Sequence, residues 1–339
     1  MKLEKHRSIH FGTVVVTTGF EPFEPEGYYL YGEHPDIITL AQFEEMRAKG
    51  SLIKSSDGKP PKSVLFIGCV GSREEGKIGH AHCSRYCCTA MTKAAADISD
   101  DSDEVLILHE DLRTFGRGHE EIHRKARSKH VVFSKFGKRK PKVTIEDGGL
   151  VVRWRDVLSC SNLEYKPEMI VLTTAMVPPK TSESLGKLFG LTRSADGFYN
   201  EEHIKLAPLT THTAGVMIAG TAQSPKDTTD STTQASGAAV KAVSLMVRKM
   251  VEIESTVSHV DETICSSCHT CITACPYGAI AMSTTTDPPV AFVTEAKCHG
   301  CGTCAAGCPS GAITMRHSTD EQIISMVDAF LNPSTPGEW

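Results

Sequence analysis

The sequence predicts an α/β protein built on a parallel sheet, followed by a small domain of a different kind. Two observations support this prediction. Apolar runs of five to eight residues alternate with helical stretches over the first 250 residues, as the buried strands of a parallel sheet do. Between residues 257 and 315 the chain instead becomes loop-rich and dense in cysteine, which indicates a separate domain.

The overall composition limits the function classes. The 339 residues include 36 basic and 41 acidic side chains, a formal net charge of −5, and 40% of them are hydrophobic. This mild acidity argues against nucleic acid as a partner, since phosphate binding requires a basic field. No apolar stretch approaches the roughly 20 residues of a membrane span, and no signal peptide is recognised. We therefore expect a cytoplasmic protein without a membrane span, in which the basic run 135–142 is a solvated loop.

The first 175 residues predict alternating strands and helices. Residues 13–17 (TVVVT) predict a central, buried strand of a parallel sheet, which is followed by Thr18 and Gly19. A hairpin is predicted around a turn at residues 147–149. The remaining elements, in chain order, are strand 63–70, helix 83–98, strand 104–110, a turn at 114–118, helix 119–128 and strand 169–175.

A further strand, turn and helix follow. The run GVMIAG ends at Gly220, and a helix is predicted from 232 to 252. Free N–H groups at such a helix start favour a phosphate or a flavin oxygen. An ordinary βα unit, in which the glycine only relieves crowding, fits the local pattern equally well. A short amphipathic helix at 321–331 is expected to pack on its own domain or on a neighbouring protein chain.

Two repeated cysteine runs dominate the C-terminal region. Each has the spacing Cys-x2-Cys-x2-Cys-x3-Cys-Pro, and the repeat predicts two half-domains. This is the bacterial-type ferredoxin signature, in which the last cysteine of each run binds the other cluster. Two structural zinc sites are the alternative, but each would need two CxxC pairs. We expect one [4Fe-4S] cluster on Cys265, Cys268, Cys271 and Cys308, and a second on Cys275, Cys298, Cys301 and Cys304.

A third cysteine group lies in the α/β region. Cys69 ends a predicted strand, and Cys83, Cys87 and Cys88 follow it. On a helix that starts at Cys83, Cys83 and Cys87 would share one face, with Cys88 about 100° further round. Four sulfurs could then surround one cluster. This spacing is not a general motif. The residues alone therefore leave a vicinal dithiol and a zinc site as alternatives to a cluster.

The combined motifs resemble the A subunit of heterodisulfide reductase and its relatives, iron-sulfur flavoproteins with a thioredoxin-reductase-like scaffold. The resemblance rests on GCVGSR (68–73), CSRYCC (83–88), DLRTFGRG (111–118), AGTAQSPKD (219–227), QASGAA (234–239) and the double cysteine run. It implies an oxidoreductase subunit in which Cys69, Cys83, Cys87 and Cys88 bind a third [4Fe-4S] cluster close to an FAD.

The resemblance also defines the expected fold class and flavin site. Family members carry a G-x-G-x-x-G turn for the FAD pyrophosphate, which this sequence lacks. We therefore expect an incomplete thioredoxin-reductase-like, Rossmann-type FAD domain, with an inserted α/β domain carrying a cluster and an α+β ferredoxin domain with two. A separate polypeptide would supply the N-terminal half of the FAD domain. The expected FAD contacts are Thr18, Gly19, Lys93, Gly220, Thr221, Lys226, Asp227 and Gln234, with Lys93 and Lys226 alternatively surface lysines.

Domain boundaries follow from the same comparison. Residues 1–60 and 176–256 are expected to form the FAD domain, 61–175 the inserted domain, 257–316 the ferredoxin domain and 317–339 a tail. Cys69 occupies the turn where a nicotinamide dinucleotide would bind, so direct use of NAD(P)H is not expected.

These features predict an electron-transfer subunit that relays electrons between FAD and the clusters. The resemblance also implies flavin-based electron bifurcation or its reverse, confurcation. The expected partners are other subunits of such a complex and donor or acceptor proteins such as ferredoxin, hydrogenase or formate dehydrogenase. One alternative function is a flavin-free iron-sulfur wiring module. Another is an NAD(P)H-dependent disulfide reductase that uses Cys87 and Cys88.

Overall fold

The chain divides into two compact units in the computed structural model, which describes residues 8–50, 52–74, 79–248 and 255–332. The first unit combines Met1–Thr18, Lys180–Gln223 and Thr232–Trp339. The second unit combines Gly19–Pro179 with Ser224–Ser231. Residues 19–60 thus belong to the second unit, whereas the sequence analysis grouped residues 1–60 together.

The described residues form short strands and mostly short helices. The strands are β1 (Val14–Val16), β2 (Glu21–Pro22), β3 (Ile37–Thr39), β4 (Ser63–Val70), β5 (Glu104–His109), β6 (Val132–Lys135), β7 (Lys142–Glu146), β8 (Gly149–Arg155), β9 (Asn162–Tyr165), β10 (Met169–Thr174), β11 (Met176–Val177), β12 (Val216–Ile218), β13 (Ser258–Val260), β14 (Ile280–Met282), β15 (Ala291–Val293) and β16 (Ile313–Met315). The helices are α1 (Leu40–Ala48), α2 (Cys87–Ile98), α3 (His119–Ser128), α4 (Ser182–Phe189), α5 (Thr228–Arg248), α6 (Thr270–Ala274), α7 (Thr303–Ala306) and α8 (Asp320–Leu331).

The second unit has three layers around a parallel sheet of strand order β3-β10-β4-β5-β6. Alternate residues of a strand point to opposite faces of the sheet. On one face Phe66 and Ile107 pack in a core with α1, α2 and α3. On the other face Leu65 and Leu108 pack against the antiparallel sheet β7-β8-β9. Because both faces are covered, the strands are almost continuously apolar, and the predicted strands 63–70 and 169–175 are confirmed.

The first unit contains the parallel pair β1-β12, in which Val16 lies opposite Ile218. Helix α5 packs on β12 through Ala238 and Ala242, which share a core with Met217. The C-terminal cysteine runs lie among the antiparallel pairs β13-β16 and β14-β15. The predicted α/β class is therefore confirmed, and the cysteine-rich region has its own short strands and helices.

Two predicted helices begin at other residues than expected. The helix predicted at 83–98 begins at Cys87, because Arg85 has a φ of 61°, which a right-handed helix does not accommodate. The helix predicted at 232–252 begins at Thr228, where Asp227 accepts the N–H of Asp230 at 2.8 Å. Its predicted end at residue 252 lies outside the described residues.

One expectation about packing is wrong, and one of the two alternatives for the C-terminal helix is excluded. Within the described residues β1 pairs with β12 alone, and Val15 is 38% exposed, so β1 is not a central, buried strand here. The helix predicted at 321–331 is present as α8, but none of its residues is buried, which contradicts packing on its own domain. Packing on a neighbouring protein chain stays a prediction. In the described part of the chain, no helix has the length and apolar character needed to cross a membrane.

Candidate functional site

The two C-terminal cysteine runs line two separate cavities. The lining of the first includes Cys265, Cys268, Cys271 and Cys308. The lining of the second includes Cys275, Cys298, Cys301 and Cys304. Each cavity thus receives three cysteines from one run and the fourth cysteine of the other run. These are the two sets that the sequence predicts.

Residues in the left-handed conformation shape both runs. His269 (φ 63°) and Gly302 (φ 74°) directly precede α6 and α7. Such a residue turns the chain sharply before each helix begins. The third cysteine of each run, Cys271 or Cys304, is buried on its short helix and faces the same cavity as the two cysteines before the turn.

The cysteine sulfurs around the second cavity are close to hydrogen-bond donors. The N–H of Ser258 donates to Cys298 Sγ at 3.4 Å, and the Ser258 hydroxyl lies 3.1 Å from Cys304 Sγ. The N–H of Ala279 donates to Cys275 Sγ at 3.4 Å. Hydrogen bonding to the Thr303 hydroxyl lowers the pKa of Cys301. Donors that face sulfur stabilise the thiolate that ligates iron, so these residues fit a cluster.

The arrangement of these sulfurs also bears on the zinc alternative. A zinc site requires convergence, because its four ligands bind a single atom at about 2.3 Å. In a cuboidal cluster each cysteine binds a different iron, so the sulfurs surround a volume instead of a point. The cavities therefore favour clusters over zinc.

The third cysteine group meets where β4 ends and α2 begins. Cys69 has a φ of 60°, and Cys69, Cys87 and Cys88 are each at most 4% exposed. Hydrogen bonding to Cys88 and burial raise the pKa of Cys87, and the thiols of Cys69 and Cys83 act in the same direction. The four predicted cysteines therefore lie near one another.

The way in which Cys83 reaches this group differs from the prediction. Cys83 and Cys87 do not share a helix face, because Arg85 turns the chain before α2 begins. Buried hydroxyls hold this turn instead. Ser72 and Ser84 lie 2.9 Å apart through their hydroxyl oxygens, and Ser84 Oγ accepts the N–H of Met176 at 2.9 Å.

Cationic side chains lie near the third group, and the sequence did not predict them. Hydrogen bonding with Cys87 lowers the pKa of Cys88 to about 7, and Arg113 and Arg73 contribute in the same direction. Burial raises the pKa of Cys69 to about 11, and Lys140 and Arg73 oppose that rise. Such cations offset the negative charge that thiolate ligands bring to a site. Arg73 stands within the run GCVGSR, and this position close to Cys69 was the sequence signal that could have predicted a cation there.

Candidate flavin residues of the first unit lie at one edge of the β1-β12 pair. Thr18 follows β1 and Gly220 follows β12, and parallel strands bring their carboxyl ends to the same edge. Gln234 accepts the N–H of Gly220 at 3.0 Å, and Thr221 continues the tight turn Gly220–Ala222. Thr18 Oγ1 is buried without a hydrogen-bond partner among the described residues. A ligand with hydrogen-bonding groups, such as a flavin, fits this edge.

The other candidate flavin residues lie in the second unit. Lys93 is 60% exposed on α2 and donates to Asp97 at 2.8 Å, as a surface lysine would. Lys226 is only 4% exposed, so the surface interpretation is wrong for it. Asp227 caps α5, as described above. Gly19 has a φ of 75°, with open space where a side chain would stand.

Comparison with known proteins adds the family. A family model described as a 4Fe-4S dicluster domain matches residues 264–313. The A subunit of the H(2):CoB-CoM heterodisulfide,ferredoxin reductase of Methanothermobacter thermautotrophicus is 43% identical over 81% of this chain and 43% of that protein. The A subunit of the H(2)/formate:CoB-CoM heterodisulfide,ferredoxin reductase of Methanococcus maripaludis is 38% identical over 96% of this chain and 51% of that protein.

Among solved structures, the thioredoxin reductase of Lactococcus lactis aligns with a TM-score of 0.46 and 17% identity, over 70% of this chain and 66% of that chain. The chain spans about half the length of the two curated relatives. The dicluster match covers both cysteine runs, so the C-terminal region is an iron-sulfur domain. Over the part that it shares with these relatives, the chain is similar to heterodisulfide reductase A subunits.

Proposed function

We propose that this chain is an electron-transfer subunit of a heterodisulfide-reductase-type complex that holds three [4Fe-4S] clusters and binds FAD. The observation that carries the proposal is the pair of cavities, each lined by three cysteines of one run and one of the other. Clusters exchange single electrons, and a flavin can exchange one or two. The chain's own residues supply thiolate ligands, donors such as Ser258 that stabilise them, and cations.

Support for the third cluster comes from the second unit. Cys69, Cys87 and Cys88 are buried together, Cys83 lies close by, and Arg73, Arg113 and Lys140 provide positive charge around them. A dithiol enzyme would need one cysteine exposed to its substrate, but the adjacent pair Cys87 and Cys88 is 3% exposed at each residue. The arrangement therefore favours a cluster over a disulfide reductase.

Support for a flavin that is shared with a partner polypeptide comes from the first unit. The unpartnered Thr18 hydroxyl and the turn at Gly220 provide polar groups at the carboxyl edge of β1-β12. In the same unit, apolar side chains stand exposed on β1 and α5: Val15 at 38%, Val240 at 69% and Val247 at 73%. Strands from a partner polypeptide beside β1 would extend the two-stranded sheet and cover exposed apolar area.

The names of the relatives suggest the physiological partners. The two printed names include hydrogen, formate and ferredoxin. On that basis we extend the proposal to exchange of electrons with ferredoxin and with a hydrogenase or formate dehydrogenase, by flavin-based bifurcation or confurcation.

The proposal is tested by counting iron, zinc and flavin in anaerobically purified chain, alone and in complex with co-purified subunits. About twelve irons per chain are expected, since each cluster holds four, with flavin in the complex. Cys69→Ser should lose about four irons. Cys160→Ser is the matched control, because Cys160 is exposed and belongs to none of the three sets.

Three results would contradict parts of this proposal. Zinc in place of iron would contradict the clusters altogether. Twelve irons without flavin in every complex would favour the wiring module. About eight irons together with NAD(P)H oxidation that depends on Cys87 and Cys88 would favour the disulfide reductase.

A further inference from the structure

A basic cavity lies on the antiparallel sheet of the second unit. It has a volume of about 410 Å³. Its lining includes five cations and a single carboxylate, Glu164. The cations are Arg139, Lys140, Lys142, Arg153 and Arg155. Part of this set lies in the run 135–142, for which the sequence predicts a solvated loop.

Most of this positive charge is not neutralised locally. Arg153 is paired, since it contacts both Glu146 and Glu164. Arg139, Lys142 and Arg155 form no ion pair within the described parts of the chain, and all three are exposed. Like charges gathered on one face repel one another and lower the stability of the free protein. An anionic partner would relieve that repulsion.

Lys140 connects this cavity to the third cysteine group. It lines the cavity, and its ammonium lies 3.4 Å from Glu74 Oε1 and 3.8 Å from Glu110 Oε2. Glu110 is followed by Asp111, whose carbonyl oxygen lies 3.6 Å from Cys88 Sγ. A molecule bound in the basic cavity would therefore lie close to the site that we assign to the third cluster.

We propose that this basic face, Arg139, Lys140, Lys142, Arg153 and Arg155, docks an acidic electron-carrier protein that exchanges electrons with the cluster on Cys69, Cys83, Cys87 and Cys88. The inference rests on the proposed function, because it requires that cluster. The spacing of the cations favours a protein over a small anion. Arg153 and Arg155 point to the same face of β8 about 7 Å apart, and Lys142 lies opposite Arg153, so the charges match several separate carboxylates.

The test compares Lys142→Gln/Arg155→Gln with the unchanged chain, both prepared with their clusters. Reduced ferredoxin of the small, acidic bacterial type is mixed with each in a stopped-flow instrument, and the second-order rate of electron transfer is followed at several salt concentrations. At low salt we expect about a tenfold loss of rate. At 1 M salt the two rates should converge, because the screening length is then only about 3 Å.

Lys125→Gln/Arg127→Gln on α3 is the matched control, since both side chains are exposed and α3 covers the other face of the central sheet. It should transfer electrons within twofold of the unchanged chain at every salt concentration. Equal rates for all three proteins would overturn the docking surface, as would an equal loss in both double variants. Inorganic phosphate should slow the unchanged chain no more than sodium chloride does at the same ionic strength. A stronger effect of phosphate that disappears in Lys142→Gln/Arg155→Gln would assign the cavity to a small anion and also overturn the proposal.

Iron content and the electron paramagnetic resonance spectrum are measured on the same samples. If the unchanged chain lacks the third cluster, the proposed function fails. If the cluster is present and the Lys142→Gln/Arg155→Gln rates match those of the unchanged chain, the docking surface alone fails.

Discussion

Arg73 is held beside the third cysteine group by two carboxylates. Its guanidinium lies 3.0 Å from Asp111 and 3.4 Å from Glu110, and the side chain is 18% exposed. Its Nη1 is buried and has no hydrogen-bond partner among the described residues. A cation fixed in this position stabilises the more negative, reduced state of a cluster, and charge and hydrogen bonding are levers that set cluster potentials.

Replacing this cation should make the third cluster harder to reduce. For Arg73→Gln we expect a midpoint potential about 59 mV more negative, which corresponds to a tenfold change in a one-electron equilibrium. An anaerobic redox titration followed by electron paramagnetic resonance measures it. Arg124→Gln, an exposed cation on α3, should leave the potential unchanged. An unchanged or more positive potential in Arg73→Gln would show that the guanidinium does not act on the cluster.

At the scale of elements, the sequence predicted what depends on local pattern. Strands β4 and β10 were predictable because helices cover one face of the central sheet and a second sheet covers the other, which leaves mainly apolar residues in them. The residue at which α2 begins could not be predicted, because nothing in the sequence indicates that Arg85 has a positive φ. The two ferredoxin cysteine sets were predictable from an internal repeat. The contact between Lys140 and Glu74 could not be predicted, because it joins residues that are far apart in the chain.

A buried carboxylate ties the central sheet of the second unit to the antiparallel sheet. Asp156, just after β8, accepts the Ser159 N–H and the hydroxyl of Ser134 on β6, each at 2.7 Å. Ser134 Oγ in turn accepts the indole N–H of Trp154 at 2.7 Å. The backbone N–H of Ser159 and the Ser134 hydroxyl lower the pKa of Asp156 to about 2.

This lowered pKa predicts a loss of stability in acid. The ionised form is favoured in the folded chain, so the stabilisation is fully present above the ordinary pKa near 3.8 and is lost as the pH falls towards 2. Asp156→Asn should cost about 2 kcal/mol at pH 7, and the difference should vanish near pH 2. Urea unfolding across pH measures it. Asp147→Asn, in the exposed hairpin turn, should show no such trend, and a pH-independent cost at Asp156 would contradict the linkage.

At the scale of the whole molecule, the chain contains two kinds of core. The second unit buries an apolar core on each face of its central sheet, with Phe43, Phe66 and Ile107 fully buried. The ferredoxin region, residues 257–316, instead has one small cluster of buried side chains. In this cluster Cys271 and Cys304 lie beside Val260, Ile280, Ala291 and Ile313. Two of these six buried residues are cysteines of the predicted cluster sets, so metal binding there contributes directly to folding.

Removal of iron should therefore open the ferredoxin region before the central sheet. After anaerobic chelation we expect backbone amides of residues 257–316 to exchange with solvent close to the unprotected rate, while β4, β5 and β10 keep most of their protection, because their cores consist of apolar side chains. Hydrogen exchange read by mass spectrometry compares the two forms. Cys160→Ser with its iron retained should match the untreated chain throughout. Persistent protection of residues 257–316 after complete iron loss would mean that their few apolar side chains are sufficient to keep this region folded. The cysteines would then contribute to cluster chemistry and not to folding.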